Sequence, residues 1–322
     1  VSDDGAIDCG HTCNTAYESP TTVTVRAIAD PGFRFIGWDG TCGEEDACTV
    51  EMTADRLLAA TFVRAPVDLA VFRPSTGAWF VDLSGNGLYD GCALDVCKAP
   101  FGMTGDLPVV GDWTGSGVST IGVFRPSNGY WFLDLDGDSR WDGCAIDGCF
   151  GPFGQAGDLP IAIDWFGIGI HLLGVFRPST GIWYIDLNAD GRHDGCNTVD
   201  GCLGPWGMAG DLPVVGDWDD WGFESIGVFR PSTGVWYLDR NLEGWWEGCQ
   251  IEHCVGPFGM KGDLPVVGDW NGDGKKSIGI FRPSTGYWYL DENSNRRWDG
   301  FAVDSARGPF GGKHDRPVPV PW

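Results

Sequence analysis

One four-residue string returns five times along this chain of 322 residues. The string FRPS begins at evenly spaced positions, namely Phe72, Phe124, Phe176, Phe229 and Phe281. The spacings are therefore 52, 52, 53 and 52 residues. Each copy leads to Trp-Phe or Trp-Tyr, then to an Asp-rich loop, to Pro-Phe-Gly or a near variant, and to a segment such as Leu-Pro-Val-Val-Gly-Asp-Trp. This period indicates stacked copies of one structural unit, each burying its apolar face against the next.

A single unit divides into short β-prone segments separated by turns. In the fourth copy, residues 226–230 and 236–239 predict a hairpin around the turn at 231–234. Residues 249–254 predict a third short strand or a stapled loop, and residues 265–270 predict a fourth strand. No window carries a helical period long enough to compete. Four strands per repeat is the content of a β-propeller blade.

The two ends of the repeat region favour a closed ring. The chain ends in PVPVPW, which aligns with PVVGDW of the earlier copies, whereas the first copy begins near residue 67 without that strand. A ring removes the bare strand edges that an open array would leave, and a linear solenoid is the alternative. The sequence therefore predicts an all-β chain, with a small β-grasp-like domain over residues 1–64 and a five-bladed β-propeller over residues 65–322.

The charge balance restricts the partners. The chain has 21 basic and 45 acidic residues and a formal net charge of −24, which argues against nucleic acid and anionic membranes. No apolar stretch is long enough to predict a membrane span. Cations are the natural counter-charge, and calcium is the first to consider.

All twelve cysteines fall into close pairs. Local disulfides and thiolate metal sites are the two explanations, and the five histidines follow no pattern that would support zinc. The sequence thus favours disulfides and an oxidising compartment. The predicted pairs are Cys9 with Cys13, Cys42 with Cys48, Cys92 with Cys97, Cys144 with Cys149, Cys196 with Cys202, and Cys249 with Cys254.

The repeats resemble a known family. The segment PVVGDWNGDGKKSIGIFRPSTGYWYL at residues 265–290 is similar to the FG-GAP and VCBS-type repeats of integrin-like propellers, and Phe258-Gly259 followed by Gly-Asp-Leu-Pro at residues 262–265 matches the naming motif. The resemblance implies a propeller whose Asp-rich loops hold calcium. It also implies adhesion or recognition outside the cell. Integrin-type rings have seven blades, so their ligand site is not carried over to five.

The first 63 residues form a different segment. ADPGFRFIGWDGTC, ACTVEM and AATF together resemble the divergent internalin-type B-repeat found beside surface domains of secreted bacterial proteins. That resemblance implies a small β-grasp-like spacer or adhesive module and an extracellular or cell-surface location in a bacterium. A short β-domain with two disulfides is the simpler interpretation.

Two Asp-rich loops per repeat approach a calcium-binding pattern, in which side-chain oxygens alternate along a turn. The alternative is that Asp, Asn and Gly only satisfy tight turns. In the first loop the best candidate ligands are Asp134, Asp136, Asp138 and Asp142, and Asp186, Asn188, Asp190 and Asp194. Weaker copies are Asp82, Ser84, Asn86 and Asp90, and Asp291, Asn293, Asn295 and Asp299. The fourth copy has Asp239, Asn241, Glu243 and Glu247, whose glutamates have longer side chains than the pattern favours. In the second loop only Asp269, Asn271 and Asp273 fit the pattern.

Arginine and tryptophan also recur. Five arginines on strands and five aspartates before the last strand predict bidentate pairs that lock blade to blade; they are Arg73, Arg125, Arg177, Arg230 and Arg282, and Asp106, Asp158, Asp211, Asp263 and Asp315. Most of the 17 tryptophans follow the repeat and predict core positions. Those in the acidic loops are candidates for stacking on a glycan, namely Trp141, Trp245, Trp246 and Trp298.

Three functions follow from these patterns. The leading one is a calcium-stabilised adhesin or lectin-like module that recognises a glycan or an extracellular protein. The second is a self-assembling subunit of an extracellular layer or filament. The third is a glycan-active hydrolase or lyase, which would need a nucleophile, a base or a tuned carboxylate pair that breaks the repeat symmetry. No such residue stands out, so we do not expect an enzyme.

Overall fold

The structure, a computed structural model, describes residues 1–7, 14–29, 33–39, 42–43, 45–64, 68–98, 100–196 and 199–318. In these ranges the regular structure consists of 24 β-strands, without a helix. Among these residues nothing has the length and apolarity of a membrane-crossing helix. The chain divides into two compact units, residues Val1–Ala65 and Pro66–Trp322.

The N-terminal unit contains two antiparallel strand pairs. Its strands are β1 (Thr22–Arg26), β2 (Phe33–Trp38), β3 (Ala47–Glu51) and β4 (Ala60–Arg64), with β1 paired to β3 and β2 paired to β4. Cys48 is fully buried and forms a disulfide with Cys42. Trp38 is buried as well, and its indole N–H donates to the backbone carbonyl of Glu45 at 2.9 Å. With Val23, Trp38 and Cys48 are the buried apolar residues among the described positions of this unit.

The second unit is a five-bladed propeller, as the repeats predict. Each blade is a four-stranded antiparallel sheet. The inner strands are β8 (Leu107–Gly111), β12 (Leu159–Ile163), β16 (Leu212–Gly216), β20 (Leu264–Gly268) and β24 (Arg316–Pro317). The second strands are β5 (Ala70–Arg73), β9 (Thr120–Arg125), β13 (Leu172–Arg177), β17 (Ser225–Arg230) and β21 (Ser277–Arg282). The third strands are β6 (Ala78–Val81), β10 (Tyr130–Leu133), β14 (Ile182–Ile185), β18 (Val235–Leu238) and β22 (Tyr287–Leu290). The outer strands are β7 (Val96–Lys98), β11 (Gly148–Phe150), β15 (Gly201–Leu203), β19 (His253–Val255) and β23 (Ser305–Arg307).

The first blade is built from both ends of the repeat region. Strand β24 pairs with β5, with Arg316 opposite Phe72 and Pro317 opposite Val71, so blade 1 has the order β24-β5-β6-β7. Blades 2 to 5 follow as β8–β11, β12–β15, β16–β19 and β20–β23. Apolar residues of blade 1 also share a core cluster with those of blade 5. The ring is therefore closed by strand pairing and by core packing.

The cores lie between neighbouring blades. One cluster joins Phe229, Trp236 and Leu238 of blade 4 to Ile278 and Ile280 of blade 5, and the other clusters repeat this arrangement. Second strands are buried along nearly their whole length, because they pack on a neighbouring sheet on each face. A fully buried tryptophan in each third strand donates its indole N–H to a backbone carbonyl that follows the outer strand. These bonds satisfy the only polar atom of each ring.

The FRPS string forms the hairpin turn between the second and third strands. In blade 4 the carbonyl of Arg230 accepts from the backbone N–H groups of Thr233 and Gly234 at 3.1 and 2.9 Å. Gly234 has a φ of 71°, and a Cβ at this position would lie 2.3 Å from the carbonyl oxygen of Gly259. The recurring glycine is therefore required both by the turn conformation and by the close approach of another backbone segment.

The predicted arginine–aspartate pairs form, but not between blades. In blade 2 the Arg125 guanidinium donates two hydrogen bonds of 2.8 Å to the buried carboxylate of Asp106, immediately before β8. Both residues belong to one sheet, so the expectation of a lock between blades is wrong. The sequence repeat is offset from the blade by one strand, which places Asp106 at the end of one copy and at the start of the next blade. Each arginine also stacks on an aromatic ring of the third strand, at 4.3 to 4.5 Å from the centroid.

Candidate metal centre and the surrounding surface

The first Asp-rich loops lie at one end of the ring, since each joins a third strand to an outer strand. The loop of blade 2 shows how the chain holds them. Asp134 directly follows β10 and is fully buried. Its two carboxylate oxygens accept from the backbone N–H groups of Gly137 at 2.8 Å and Ser139 at 2.9 Å. Oxygens of Asp134, Asp136 and Asp138 lie within 4.8 Å of one another. In the part of the chain that the structure describes, no other triple of His, Cys, Asp or Glu comes so close.

A further carboxylate, absent from the sequence prediction, borders each loop, although in blade 2 it is not part of the close triple of Asp134, Asp136 and Asp138. It follows in the segment between the loop and the outer strand, and it is buried in all five blades, as Asp95, Asp147, Asp200, Glu252 and Asp304. In blade 2 one oxygen of Asp147 accepts from the backbone N–H of Asp142 at 2.7 Å. The other oxygen has no hydrogen-bond partner. One oxygen of Asp95, Asp200 and Glu252 likewise has no partner, although the bonded oxygen of Glu252 accepts from Arg240 and not from the end of the loop. In blade 5 both oxygens of Asp304 accept backbone N–H groups.

The sequence contained a signal for this carboxylate. An acidic residue stands three or four positions after the first cysteine of each propeller pair, as in Cys144-Ala-Ile-Asp147. It lies outside the alternating pattern of the loop, so spacing rules for calcium loops do not include it. Only the return of the chain along the outer strand brings it beside the loop.

The carboxylates around the loop of blade 2 influence one another's ionisation. Burial, followed by the charges of Asp136 and Asp142, raises the pKa of Asp147 above its usual value. Burial also raises the pKa of Asp134 to about 6, against the opposing effect of its backbone donors. Burial likewise raises the pKa of the first carboxyl group to about 6 in three other loops, at Asp186, Asp239 and Asp291. Without a cation, these clusters therefore disfavour full ionisation.

The disulfides hold the segment that carries the extra carboxylate. Cys144–Cys149 encloses Asp147, and the bonds Cys92–Cys97, Cys196–Cys202 and Cys249–Cys254 do the same in blades 1, 3 and 4. With Cys42–Cys48 of the N-terminal unit, five of the six predicted pairs are confirmed. The pair Cys9 and Cys13 lies outside the described residues. Blade 5 has Phe301 and Ala306 at the cysteine positions.

The structure brings the other predicted loop residues side by side. In blade 1 the amide of Asn86 donates to Asp90 at 2.5 Å, and in blade 3 Asn188 donates to Asp194 at 3.4 Å. In blade 5 both Asn293 and Asn295 donate to Asp299, and in blade 4 Asn241 donates to Glu247. Each loop therefore gathers oxygen-bearing side chains over the buried first carboxylate.

The second loop uses its aspartate differently. Asp269 is buried and accepts from the backbone N–H groups of Gly272, Asp273 and Gly274 at 2.8 to 3.0 Å, while Asn271 donates to Asp273 at 3.0 Å. In the equivalent loop of blade 2, burial opposes ionisation, but four backbone N–H donors hold the pKa of Asp112 below its usual value. These carboxylates are engaged as turn acceptors. A metal role for Asp269, Asn271 and Asp273 remains a prediction.

Three of the four loop tryptophans occupy one repeat position. Trp141, Trp246 and Trp298 stand where blades 1 and 3 have Tyr89 and His193. The aromatic residue at this position packs edge-on against two other rings in every blade. One is the third-strand ring on which the arginine stacks, and the other lies in the Pro-Phe-Gly or Pro-Trp-Gly segment of the preceding blade. These half-exposed rings are therefore wedges between blades.

Trp245 differs from its neighbours. It is 53 % exposed, and the structure records no ring contact for it within the described ranges. Trp221 and Phe223 of the second loop in blade 4 are 56 % and 44 % exposed. Trp221, Phe223 and Trp245 are therefore exposed aromatic residues at positions that break the repeat.

The end of the ring that carries these loops is also asymmetric near its inner strands. His171, Glu224 and Lys276 immediately precede the second strands of blades 3, 4 and 5. Glu224 accepts from the backbone N–H of Asp164 at 2.7 Å and pairs with Lys276. Burial opposes ionisation, but Lys276 and His171 hold the pKa of Glu224 below its usual value. Burial lowers the pKa of His171. The three side chains thus link successive blades.

Comparison with known proteins concerns the N-terminal unit. Residues 3–66 match the family model described as a divergent InlB B-repeat domain. No curated protein matches the chain. The B-repeat resemblance is thus supported, while the FG-GAP resemblance of the blades remains a prediction. A disulfide-bonded propeller that follows a B-repeat unit along the chain suggests an extracellular binding module.

Proposed function

We propose that the chain is a calcium-stabilised recognition module of the cell surface or extracellular space, with a glycan or extracellular protein as its partner. The observation that carries the calcium part is the orphaned carboxylate oxygen of Asp95, Asp147, Asp200 and Glu252. A buried charged oxygen without a partner is costly, and its recurrence in four blades indicates a common missing ligand.

The donor chemistry favours calcium over other metals. In blade 2 the close triple of Asp134, Asp136 and Asp138 offers only oxygen ligands, and the neighbouring carboxylates of Asp142 and Asp147 add more of the same kind. The neighbouring cysteines are bonded to each other and cannot act as thiolate ligands. Calcium accepts six to eight oxygens in flexible geometry, whereas zinc prefers nitrogen and sulfur, and magnesium requires a stricter octahedron. When bound, the ion would supply the positive charge that the clustered carboxylates lack.

Calcium is expected to stabilise the propeller strongly. At about 2 mM calcium and the submillimolar affinity typical of extracellular modules, each filled loop contributes about 1 kcal/mol. Four loops then raise the melting temperature by roughly 10 °C relative to metal-stripped protein, by the usual conversion for domains of this size. Calorimetry with calcium, with magnesium and with chelator measures this shift, and mass spectrometry counts the bound metal. An equal melting temperature in all three buffers, with no metal bound, would refute the proposal.

A single amide substitution tests the orphaned oxygen. Asp147→Asn keeps the shape of the side chain but removes its charge, so it should reduce the calcium stoichiometry by one and lower the calcium-dependent stabilisation by about 1 kcal/mol. Asp55→Asn, in an exposed loop of the N-terminal unit, removes the same charge far from any loop ligand in sequence and serves as the control. Identical calcium titrations of both variants and the parent would show that Asp147 is not a ligand.

The raised pKa values predict opposite pH responses with and without calcium. Because burial raises the pKa of Asp134, Asp186, Asp239 and Asp291 to about 6 from 3.8, the folded chain holds protons that the unfolded chain has released. Their contribution to stability is present below pH 4 and is lost as the pH rises through about 6. Calcium binds the ionised form, so the calcium-dependent gain should grow between pH 5 and 7. Melting curves from pH 4.5 to 7.5 in metal-stripped and calcium buffers test this. A calcium-dependent gain that is constant over this range would contradict the assignment.

A further inference from the structure

A groove of about 590 Å³ lies beside the strand that closes the ring. One wall is formed by blade 5, with Gly262 and Leu264 at the start of its inner strand and Pro283 and Ser284 in its hairpin turn. The other wall is the segment that enters β24 in blade 1, residues 313–316. Since hairpin turns and inner-strand starts lie at one end of each blade, the groove opens at the end of the ring opposite the carboxylate loops.

The groove is cationic in a strongly acidic protein. The side chains of Lys313, His314 and Arg316 are exposed and have no hydrogen bond or ion pair to another described residue. Lys313 and Arg316 supply the positive charge. The neighbouring Asp315 does not balance them, because its carboxylate accepts two hydrogen bonds of 2.9 Å from Arg73. It also accepts from the backbone N–H of Gly312 at 2.9 Å. The unpaired positive charges therefore face a cavity.

The other blades show that the fold does not need these cations. The equivalent segment of blade 3 reads Ala156-Gly157-Asp158-Leu159, and blade 4 has the same four residue types. The leucines at the inner-strand start pack against the core clusters between blades, whereas Arg316 is exposed at this position. Blade 1 thus gives up an apolar contact and gains positive charge, which indicates a binding role for this segment.

We infer that this groove binds the carboxylate groups of an acidic oligosaccharide, an inference that rests on the proposed recognition function and specifies its ligand class. Arginine and lysine recognise carboxylates by charge-assisted hydrogen bonds. The volume falls in the range of small-ligand sites and accommodates about two sugar rings. Leu264 and Pro283 offer apolar contacts to a ring face, and the Ser284 hydroxyl can bond a sugar hydroxyl.

Calorimetric titration with trigalacturonic acid tests the groove. The variant Lys313→Ala/Arg316→Leu installs residues that blades 3 and 4 carry at these positions, so the ring is expected to close normally. We expect at least a tenfold loss of affinity for trigalacturonic acid. Lys261→Ala, which removes the lysine at the equivalent position of blade 5 but does not alter a residue that lines the groove, should bind like the parent. Raising the salt from 50 to 500 mM should also weaken binding.

The comparison ligands show which chemical class the groove recognises. Neutral maltotriose should bind at least tenfold more weakly than trigalacturonic acid. Tighter binding of a sulfated disaccharide than of trigalacturonic acid would overturn the assignment of carboxylate as the recognised group. Tighter binding of triglutamate than of trigalacturonic acid would overturn the glycan assignment in favour of an acidic peptide. Unchanged affinity of the double variant would overturn the groove itself. Calcium-dependent melting is measured separately, so the groove can fail while the calcium proposal stands, and the reverse.

Discussion

Replacing Trp236 by alanine is expected to destabilise the propeller by about 3 to 5 kcal/mol. The indole is fully buried in the cluster between blades 4 and 5, where it contacts Phe229 at 4.9 Å between ring centroids. Its N–H donates to the carbonyl of Phe258 at 2.9 Å. Truncation removes the apolar contacts, opens a cavity and leaves a buried carbonyl without its donor. Equilibrium unfolding in denaturant measures the change.

Trp245 provides the matched control, nine residues further along the chain. Its ring is 53 % exposed, so Trp245→Ala should change the free energy of unfolding by less than about 0.5 kcal/mol. Equal losses for the two variants would contradict the assignment of Trp236 to the core and of Trp245 to the open surface. A loss of ligand binding by Trp245→Ala without a loss of stability would support its predicted role in recognition.

The tryptophans also show which packing roles can be predicted from the sequence. The repeat predicts Trp236 as a core residue because the same residue type returns in every copy after the hairpin turn. Trp141, Trp246 and Trp298 share their repeat position with Tyr89 and His193, so this position is recognised only when the different aromatic residues are treated as equivalent. Their packing between blades depends on how one sheet meets the next, and strand patterns within a copy contain no such information.

The ring itself could be predicted for a related reason. Short strands, turn residues and the missing first strand are local features, and together they specify four strands per blade and closure between the two ends. The arginine–aspartate pairs were recognisable from their matching recurrence. Their location was not, because the copy and the blade begin at different strands. Asp106 belongs with Arg125 once β8 is assigned to the blade that follows it.

The candidate metal centre was predictable only in part. Alternating oxygens mark the turn that contains Asp134, Asp136 and Asp138, since that turn is a continuous segment. Asp147 reaches the same region through a disulfide-closed segment and the pairing of β11 with β10. A pattern search along the chain treats the two segments as separate features. The orphaned oxygen becomes visible only when the hydrogen bonds of both are considered together.

Reducing the disulfides is expected to have the largest effect on stability of any single treatment. Each propeller disulfide joins cysteines five or six residues apart. In the chain-entropy model a loop of this size contributes about 2 kcal/mol, so the four bonds together contribute up to about 8 kcal/mol. That sum is comparable to the whole stability of a typical domain. Thermal melting of the protein after reduction in mild denaturant measures the loss.

Loss of the disulfides should also weaken calcium binding, because the disulfide-closed segments carry the orphaned carboxylates. Cys144→Ala/Cys149→Ala is expected to lower stability by about 2 kcal/mol and also to weaken calcium binding in blade 2, where Asp147 would no longer be held. Blade 5 is the internal reference, since it has no disulfide and holds Asp304 by backbone hydrogen bonds on both oxygens. Its loop should keep its properties after reduction, while those of blades 1 to 4 lose affinity. A reduced protein with an undiminished calcium-dependent gain would show that the disulfides and the carboxylate loops act independently.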